Sequence, residues 1–197
     1  MSLSFLFQSR RDPIVKAAES LFRAALNQSR RPEFYLDLGV PDTFDGRFDL
    51  LVLHLSLVLN RLRAESDGKR IGQALIERFV TEIDTSLREI GVGDLGLARH
   101  VRAMLEGFYG RLNAYEHGLR AEDSAVLEHA LRRNLFGTQQ GKSNEPKREQ
   151  IAALSRYMRL SMARLSSQDF AQILEGIVDL AEPLACPVPD RFDPQAR

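Results

Sequence analysis

Apolar residues return every three or four positions along most of this chain, and that spacing restricts the available folds more than any other feature. Ile14, Ala18, Leu21, Phe22, Ala25 and Leu26 open the pattern, and Arg30, Arg31 and Pro32 close the first helix. A short segment at Phe34 to Leu38 leads through Gly39 and Pro41 to a helix running to about Arg63, with Asp42 as its expected N-cap. The turn Ser66-Asp67-Gly68 precedes a narrow stripe of Ile71, Leu75, Phe79, Ile83, Leu87 and Ile90. After the glycines at 91, 93 and 96, the clearest helix carries Leu97, Val101, Met104, Leu105, Phe108, Leu112, Tyr115 and Leu119, with Asp94 placed to cap it. Ala125 to Phe136 form a shorter helix, and Gly137 follows where a left-handed residue is common.

A polar loop then leads to Asn144 and Pro146, which start a helix bearing Ile151, Leu154, Met158, Met162 and Leu165. Ser167 is the expected cap of a last helix from Phe170 to Leu180. No segment alternates with a strand period and no unit repeats, so the fold class is all-α: a single-domain bundle of about seven helices. The expected organisation is an N-terminal segment and first helix over 1–33, a helical domain over 34–182, and an extended or disordered tail over 183–197 containing Pro183, Pro187, Pro189 and Pro194.

The 197 residues suffice for a hydrophobic core without disulfide or metal, and the lone Cys186 has no partner for either. A reducing, cytoplasm-like compartment follows, since the apolar Leu3-Ser4-Phe5-Leu6-Phe7 start lacks the flanks of a signal peptide. The run from Phe48 to Leu59, interrupted by Asp49, His54 and Ser56, falls short of the ~18 residues of a membrane span and reads as a core helix. Charge balances, with 27 basic and 27 acidic residues, so nothing draws DNA over long distances. Its distribution is uneven: bases cluster from Arg132 to Arg164, and acids follow from Asp169 to Asp193. That cluster, with the apolar start, supports an alternative reading as a peripheral membrane or quinone- or lipid-binding helical protein.

Gly91-Val92-Gly93-Asp94-Leu95-Gly96 satisfies the G-x-G-x-x-G pattern of dinucleotide sites, but that pattern needs a strand before it. Here Leu87 to Ile90 end a helix, and the Asp94 carboxylate would repel a pyrophosphate. The segment reads as a helix junction, with Gly91 ending one helix and Gly93 taking a positive φ. No histidine stands at a metal-ligand spacing, and His54 reads as a core imidazole bonded to a neighbour. Neither Cys186 nor Ser56 nor Ser86 has a nucleophile's setting, so no enzymatic activity and no cofactor are expected. Gly107 and Gly110 each cost about 1 kcal/mol within a helix. Close packing on a neighbouring helix is the favoured account of them, against a shallow groove edged by Tyr109 and Arg111 that receives an apolar segment of a client.

Three blocks carry a family resemblance: Pro41 to His54 (PDTFDGRFDLLVLH), Ile83 to Gly96 (IDTSLREIGVGDLG), and Phe108 to Leu112 (FYGRL). Together they resemble the ubiquinol–cytochrome c chaperone family over about half the chain, from Phe34 to Gly137. The resemblance implies a non-enzymatic assembly factor for the respiratory bc1 complex, with newly made cytochrome b as client. In mitochondria it also implies a small helper partner near the ribosome exit tunnel. The absence of an Arg-rich presequence points to a bacterial relative, for which ribosome contact stays open, acting in the cytoplasm or at the inner membrane. The matching blocks supply Arg47, His54, Asp84, Ser86, Arg88, Gly91, Gly93, Asp94, Gly96, Tyr109 and Arg111 as candidate partner-binding residues. Which of them touch the client and which shape the bundle is open at this level.

Overall fold

A helix that is apolar on every face must be enclosed on every side, and the run from Phe48 to Leu59 builds one. The computed structural model describes residues 12–137 and 145–183, and every regular element among them is a helix. In chain order these are α1 (Pro13–Ser29), α2 (Pro32–Leu36), α3 (Phe44–Leu62), α4 (Gly68–Glu89), α5 (Asp94–Arg120), α6 (Ser124–Phe136), α7 (Arg148–Ser167) and α8 (Phe170–Leu174). The apolar start at Leu3 to Phe7, Lys142, Asn144, Cys186 and the prolines at 187, 189 and 194 lie outside the described residues.

The central element is α3, which touches α1, α4, α5, α6 and α7. Leu50, Leu53 and Leu57 enter one apolar cluster with Phe34 of α2, Leu131 and Leu135 of α6, and Leu154 and Met158 of α7. Leu51, Val52, Leu55 and Val58 enter a second with Leu21 and Phe22 of α1, Leu75 and Phe79 of α4, and Phe108 of α5. Burying each such side chain contributes roughly 1.5–3 kcal/mol. The bundle is therefore two half-cores sharing one buried helix.

The helix termini correct several of the sequence expectations. Thr43, not Asp42, caps α3: its hydroxyl accepts from the Gly46 amide at 3.1 Å, while the Asp42 carboxylate accepts from Arg47 at 2.6 Å. Asp94 is the first residue of α5 and makes no cap bond, the N-cap position being Gly93. Asp169 rather than Ser167 caps α8, its carboxylate accepting from the Ala171 amide at 3.0 Å. That helix stops at Leu174 instead of Leu180 because Gly176 turns the chain at φ +84°. Gly137 has φ −56° and Gly93 φ −71°, so neither takes the left-handed role expected of it.

Two arginines close helix C-termini across the bundle. Arg159 of α7 donates to the carbonyls of Gly118, Leu119 and Ala121 at 3.1–3.4 Å, and Arg61 of α3 donates to Leu165 and Gln168 at 2.8 and 3.2 Å. Each supplies donors to carbonyls that have no partner within their own helix.

His54 is a fully buried core imidazole bonded to a neighbour, as expected. Its Nδ1 lies 2.7 Å from the Leu50 carbonyl, which can only accept, so Nδ1 carries the proton. The bare Nε2 accepts from the Tyr157 hydroxyl at 2.8 Å, and that oxygen accepts from Gln28 at 3.1 Å. Phe34 sits edge-on to both rings at centroid distances of 5.2 and 5.1 Å. One network thereby ties α1, α2, α3 and α7 together. Burial holds the His54 imidazole neutral, lowering its pKa to about 4.

Asp49 sits one turn before His54 and behaves oppositely. Its carboxylate lies 2.7 Å from the Arg111 guanidinium, without good hydrogen-bond alignment. Burial pushes its pKa up to about 7 against the restraining charge of Arg111.

The two groups have opposite linkage signs. The lowered His54 pKa gives stability that is present above pH 6.5 and lost as pH falls through about 4. The raised Asp49 pKa gives stability that is present below pH 3.8 and lost as pH rises through about 7. Between pH 4 and 6.5 they oppose each other in the native protein. Urea titrations at a series of pH values will show Asp49→Asn losing about 3 kcal/mol on acidification across that window, relative to its own neutral-pH value. His54→Gln, with the Asp49 contribution unopposed, will gain stability over the same window. Parallel pH profiles for both variants would contradict this assignment.

Packing gives a second prediction. A Cβ on Gly118 would meet the Leu127 Cα at 2.8 Å, where α5 and α6 cross. Gly118→Ala should cost about 1–3 kcal/mol in the same assay, because backbone rather than a mobile side chain must give way.

Candidate functional site

The antiparallel hairpin of α4 and α5 begins at a tight junction whose geometry follows from one glycine. Gly91 has φ +87°, and the amides of Gly91 and Val92 return to the carbonyls of Arg88 and Leu87 at 3.0 Å each. The chain therefore reverses within a few residues, and the G-x-G-x-x-G pattern is a helix cap followed by a helix start. Arg88 spans the junction, its guanidinium donating to Asp84 at 2.9 Å and to Asp94 at 2.7 Å. All three are largely solvated, so this bridge orients the junction more than it stabilises it.

Beyond the junction α5 is incompletely covered. Over its first half only Leu97 and Phe108 are buried, whereas Val101 and Leu105 are half-buried and Ala98 and Tyr109 are exposed. Leu97, Ala98, Val101, Leu105 and Tyr109, with Asp84, Arg88, Asp94, Arg102 and Glu106, line an open groove of about 880 Å³ between α4 and α5. A second groove of about 520 Å³ continues toward the end of α5, bounded by Leu59, Asn60 and Arg63 of α3, Lys69, Gln73 and Ile76 of α4, and Leu112, Asn113 and Glu116 of α5. Tyr109 lines both.

The eleven candidate residues therefore separate into four sets. Asp84, Arg88, Asp94 and Tyr109 meet along the first groove. Arg47 and Ser86 meet elsewhere, at a smaller cavity of about 160 Å³ beside Tyr35, Phe44 and Phe48. There Arg47 is held by Asp42 and lies 6.0 Å from the Tyr35 ring centroid. Gly91, Gly93 and Gly96 shape the junction. His54 and Arg111 point inward, the first to Tyr157 and the second to Asp49, and neither reaches the groove.

The glycines of α5 also resolve differently from the favoured expectation. A Cβ on Gly110 would meet nothing within 4 Å, so no neighbouring helix packs there. A Cβ on Gly107 would stand 2.8 Å from the Arg111 guanidinium, so this glycine leaves room for Arg111 to fold back along its own helix toward Asp49. The alternative, a groove edged by both Tyr109 and Arg111, is not formed either: Tyr109 lines the groove while Arg111 turns to Asp49. The residues that sequence reasoning left out of the site are Val101, Leu105 and Leu112, read only as core positions, and Ile76, which lies outside the apolar stripe traced for its helix. Their signal was a helix whose apolar stripe is wider than one neighbour can cover.

Among the described residues no group of three or more His, Cys, Asp or Glu could hold a metal ion, and no helix is long and apolar enough to cross a membrane.

A family model described as Ubiquinol-cytochrome C chaperone matches residues 36–181, from the end of α2 to beyond α8. The ubiquinol-cytochrome c reductase complex assembly factor 1 of Mus musculus is 26% identical over 159 residues, covering 80% of this chain and 52% of that protein. Protein CBP3, mitochondrial, of Saccharomyces cerevisiae is 31% identical over 145 residues, covering 70% of this chain and 42% of that protein. The chain spans about half the length of these curated relatives. The crystal structure of the Cbp3 homolog from Brucella abortus matches with a TM-score of 0.75 and 26% identity, over 92% of this chain and 98% of that one. All three sequence blocks and both walls of the groove fall within the matched residues, and the chain belongs to the ubiquinol-cytochrome C chaperone family.

Proposed function

We propose that this protein is a non-enzymatic chaperone that binds newly made cytochrome b and holds it for assembly into the bc1 complex. The observation that carries this reading is the uncovered apolar groove along α4 and α5, in a chain whose two half-cores are otherwise closed. An open groove with an apolar floor and a charged rim can receive an apolar segment of another chain. Family membership supplies the direction, because relatives bear the name of assembly factors for ubiquinol-cytochrome c reductase. Cytochrome b, a membrane protein rich in apolar segments, is the component that most needs such cover before it reaches the membrane. The protein acts in the cytoplasm, close to the inner membrane.

The reading is tested in a strain from which the gene has been deleted. Cytochrome b abundance and ubiquinol–cytochrome c oxidoreductase activity should collapse, and the intact gene should restore both. Ala98→Glu and Tyr109→Glu place a carboxylate in the groove at exposed positions that belong to neither half-core. Each should retain a helical circular dichroism spectrum and cooperative melting, yet weaken client capture at least about tenfold, the equivalent of ~1.4 kcal/mol. Normal cytochrome b levels in the deletion strain would rule the function out.

A further inference from the structure

The two grooves on either side of Tyr109 follow one helix from Asp94 to Glu116. At 1.5 Å per residue that stretch is about 33 Å long. The hydrocarbon core of a bilayer is about 30 Å thick, and the helix that spans it is about 20 residues long. The groove therefore has the length of one membrane-spanning helix.

Its two ends differ in charge. At the junction end stand Asp84 and Asp94 against Arg88, an acidic excess of one, while Arg102 and Glu106 face each other further along α5. At the far end stand Arg63 and Lys69 against Glu116, a basic excess of one. Arg63 and Arg120 both pair with Glu116, whereas Lys69 makes no ion pair among the described residues. Arg88 is already held between Asp84 and Asp94, and Arg102 reaches Glu106 at 4.0 Å. An apolar helix with Lys or Arg at one flank, the common pattern of membrane segments on their cytoplasmic side, would meet complementary charge in only one of its two directions.

We infer that the α4–α5 groove holds one apolar helix of membrane-spanning length, laid with its basic flank against Asp84 and Asp94. The inference rests on the chaperone reading of the same groove and adds the form and direction of what it holds. Half-buried Ile76, Val101, Leu105 and Leu112 form the floor, and Tyr109 presses on the middle of the bound helix. The charged ends fix direction more than affinity, because they lie in solvent.

A synthetic Leu/Ala helix of membrane-spanning length, with two lysines at one end and a photoreactive benzophenone at either terminus, tests this on the full chain at low salt. With the label at the lysine end, crosslinks should fall on the first turns of α5, several-fold over the far end. With the label at the other end, they should fall on the segment from Arg63 to Gln73 and the last turns of α5. The double variant Asp94→Lys/Lys69→Glu exchanges the sign of both ends using exposed side chains, and it should reverse the pattern. A salt concentration of about 1 M, where charges are screened beyond ~3 Å, should abolish the preference while leaving binding. Crosslinks outside the groove, direction-independent crosslinks at low salt, or equal binding of a half-length peptide would each overturn the inference. If the peptide fails in these ways while the deletion strain still loses cytochrome b, the chaperone reading stands and only the occupant's form is wrong. If the peptide docks in the stated direction while the deletion strain keeps cytochrome b, the reverse holds.

Discussion

Everything in this bundle is arranged around α3, whose interior stretch from Leu50 to Leu59 offers no polar face to water. An amphipathic helix can be stabilised by a single neighbour, but this one needs helices on all sides. The chain supplies α2, α6 and α7 on one side and α1, α4 and α5 on the other. The buried polar groups on α3 are placed to enforce that arrangement. His54 reaches across to Tyr157 of α7, Asp49 to Arg111 of α5, and Arg61 to the end of α7. Each would be costly to bury without its partner, so each disfavours packings in which the outer helices shift register.

The exposed groove follows from the same constraint. Spanning Asp94–Arg120, α5 is longer than α3 and contributes to both half-cores: Phe108 to one and Tyr115 to the other. Its second half is held by α6 and by Arg159, which caps its end. Its first half has α4 beside it, the start of α3 facing Met104, and the Gly91 turn behind it. Among the described residues no further helix covers Val101 and Leu105, α1 being committed to α3 and α4. The apolar surface is thus what remains when the described helices close their core.

Most of the fold was legible in the sequence because apolar periodicity reports burial directly. The long helices, the short segment at Phe34 and the buried state of His54 could all be read from the spacing. Helix termini were less legible because several residues compete for the same cap. Asp42 and Thr43 are both good caps, and the choice between them was settled by Arg47, which takes the Asp42 carboxylate. Likewise Asp94 resembled a cap until Arg88, six residues earlier, engaged it across the turn. Gly107 was harder still, since its reason is a side chain of its own helix folding back toward Asp49.

The candidate site was legible only in part, and the reason lies in what motifs record. Blocks such as FDLLVLH or FYGRL mix residues that face a partner with residues that build the face. Arg111 and His54 belong to the second kind: they sit in the most specific blocks yet point into the interior. Tyr109 and Asp94 line the groove, and so do Val101 and Leu105, which belong to no block because many apolar residues could line an apolar floor. A surface that receives unfolded or membrane-destined segments needs breadth and length more than particular side chains. The junction pairs Asp84–Arg88–Asp94 and the buried pair Asp49–Arg111 depend on particular side chains, and these are what the short sequence blocks contain.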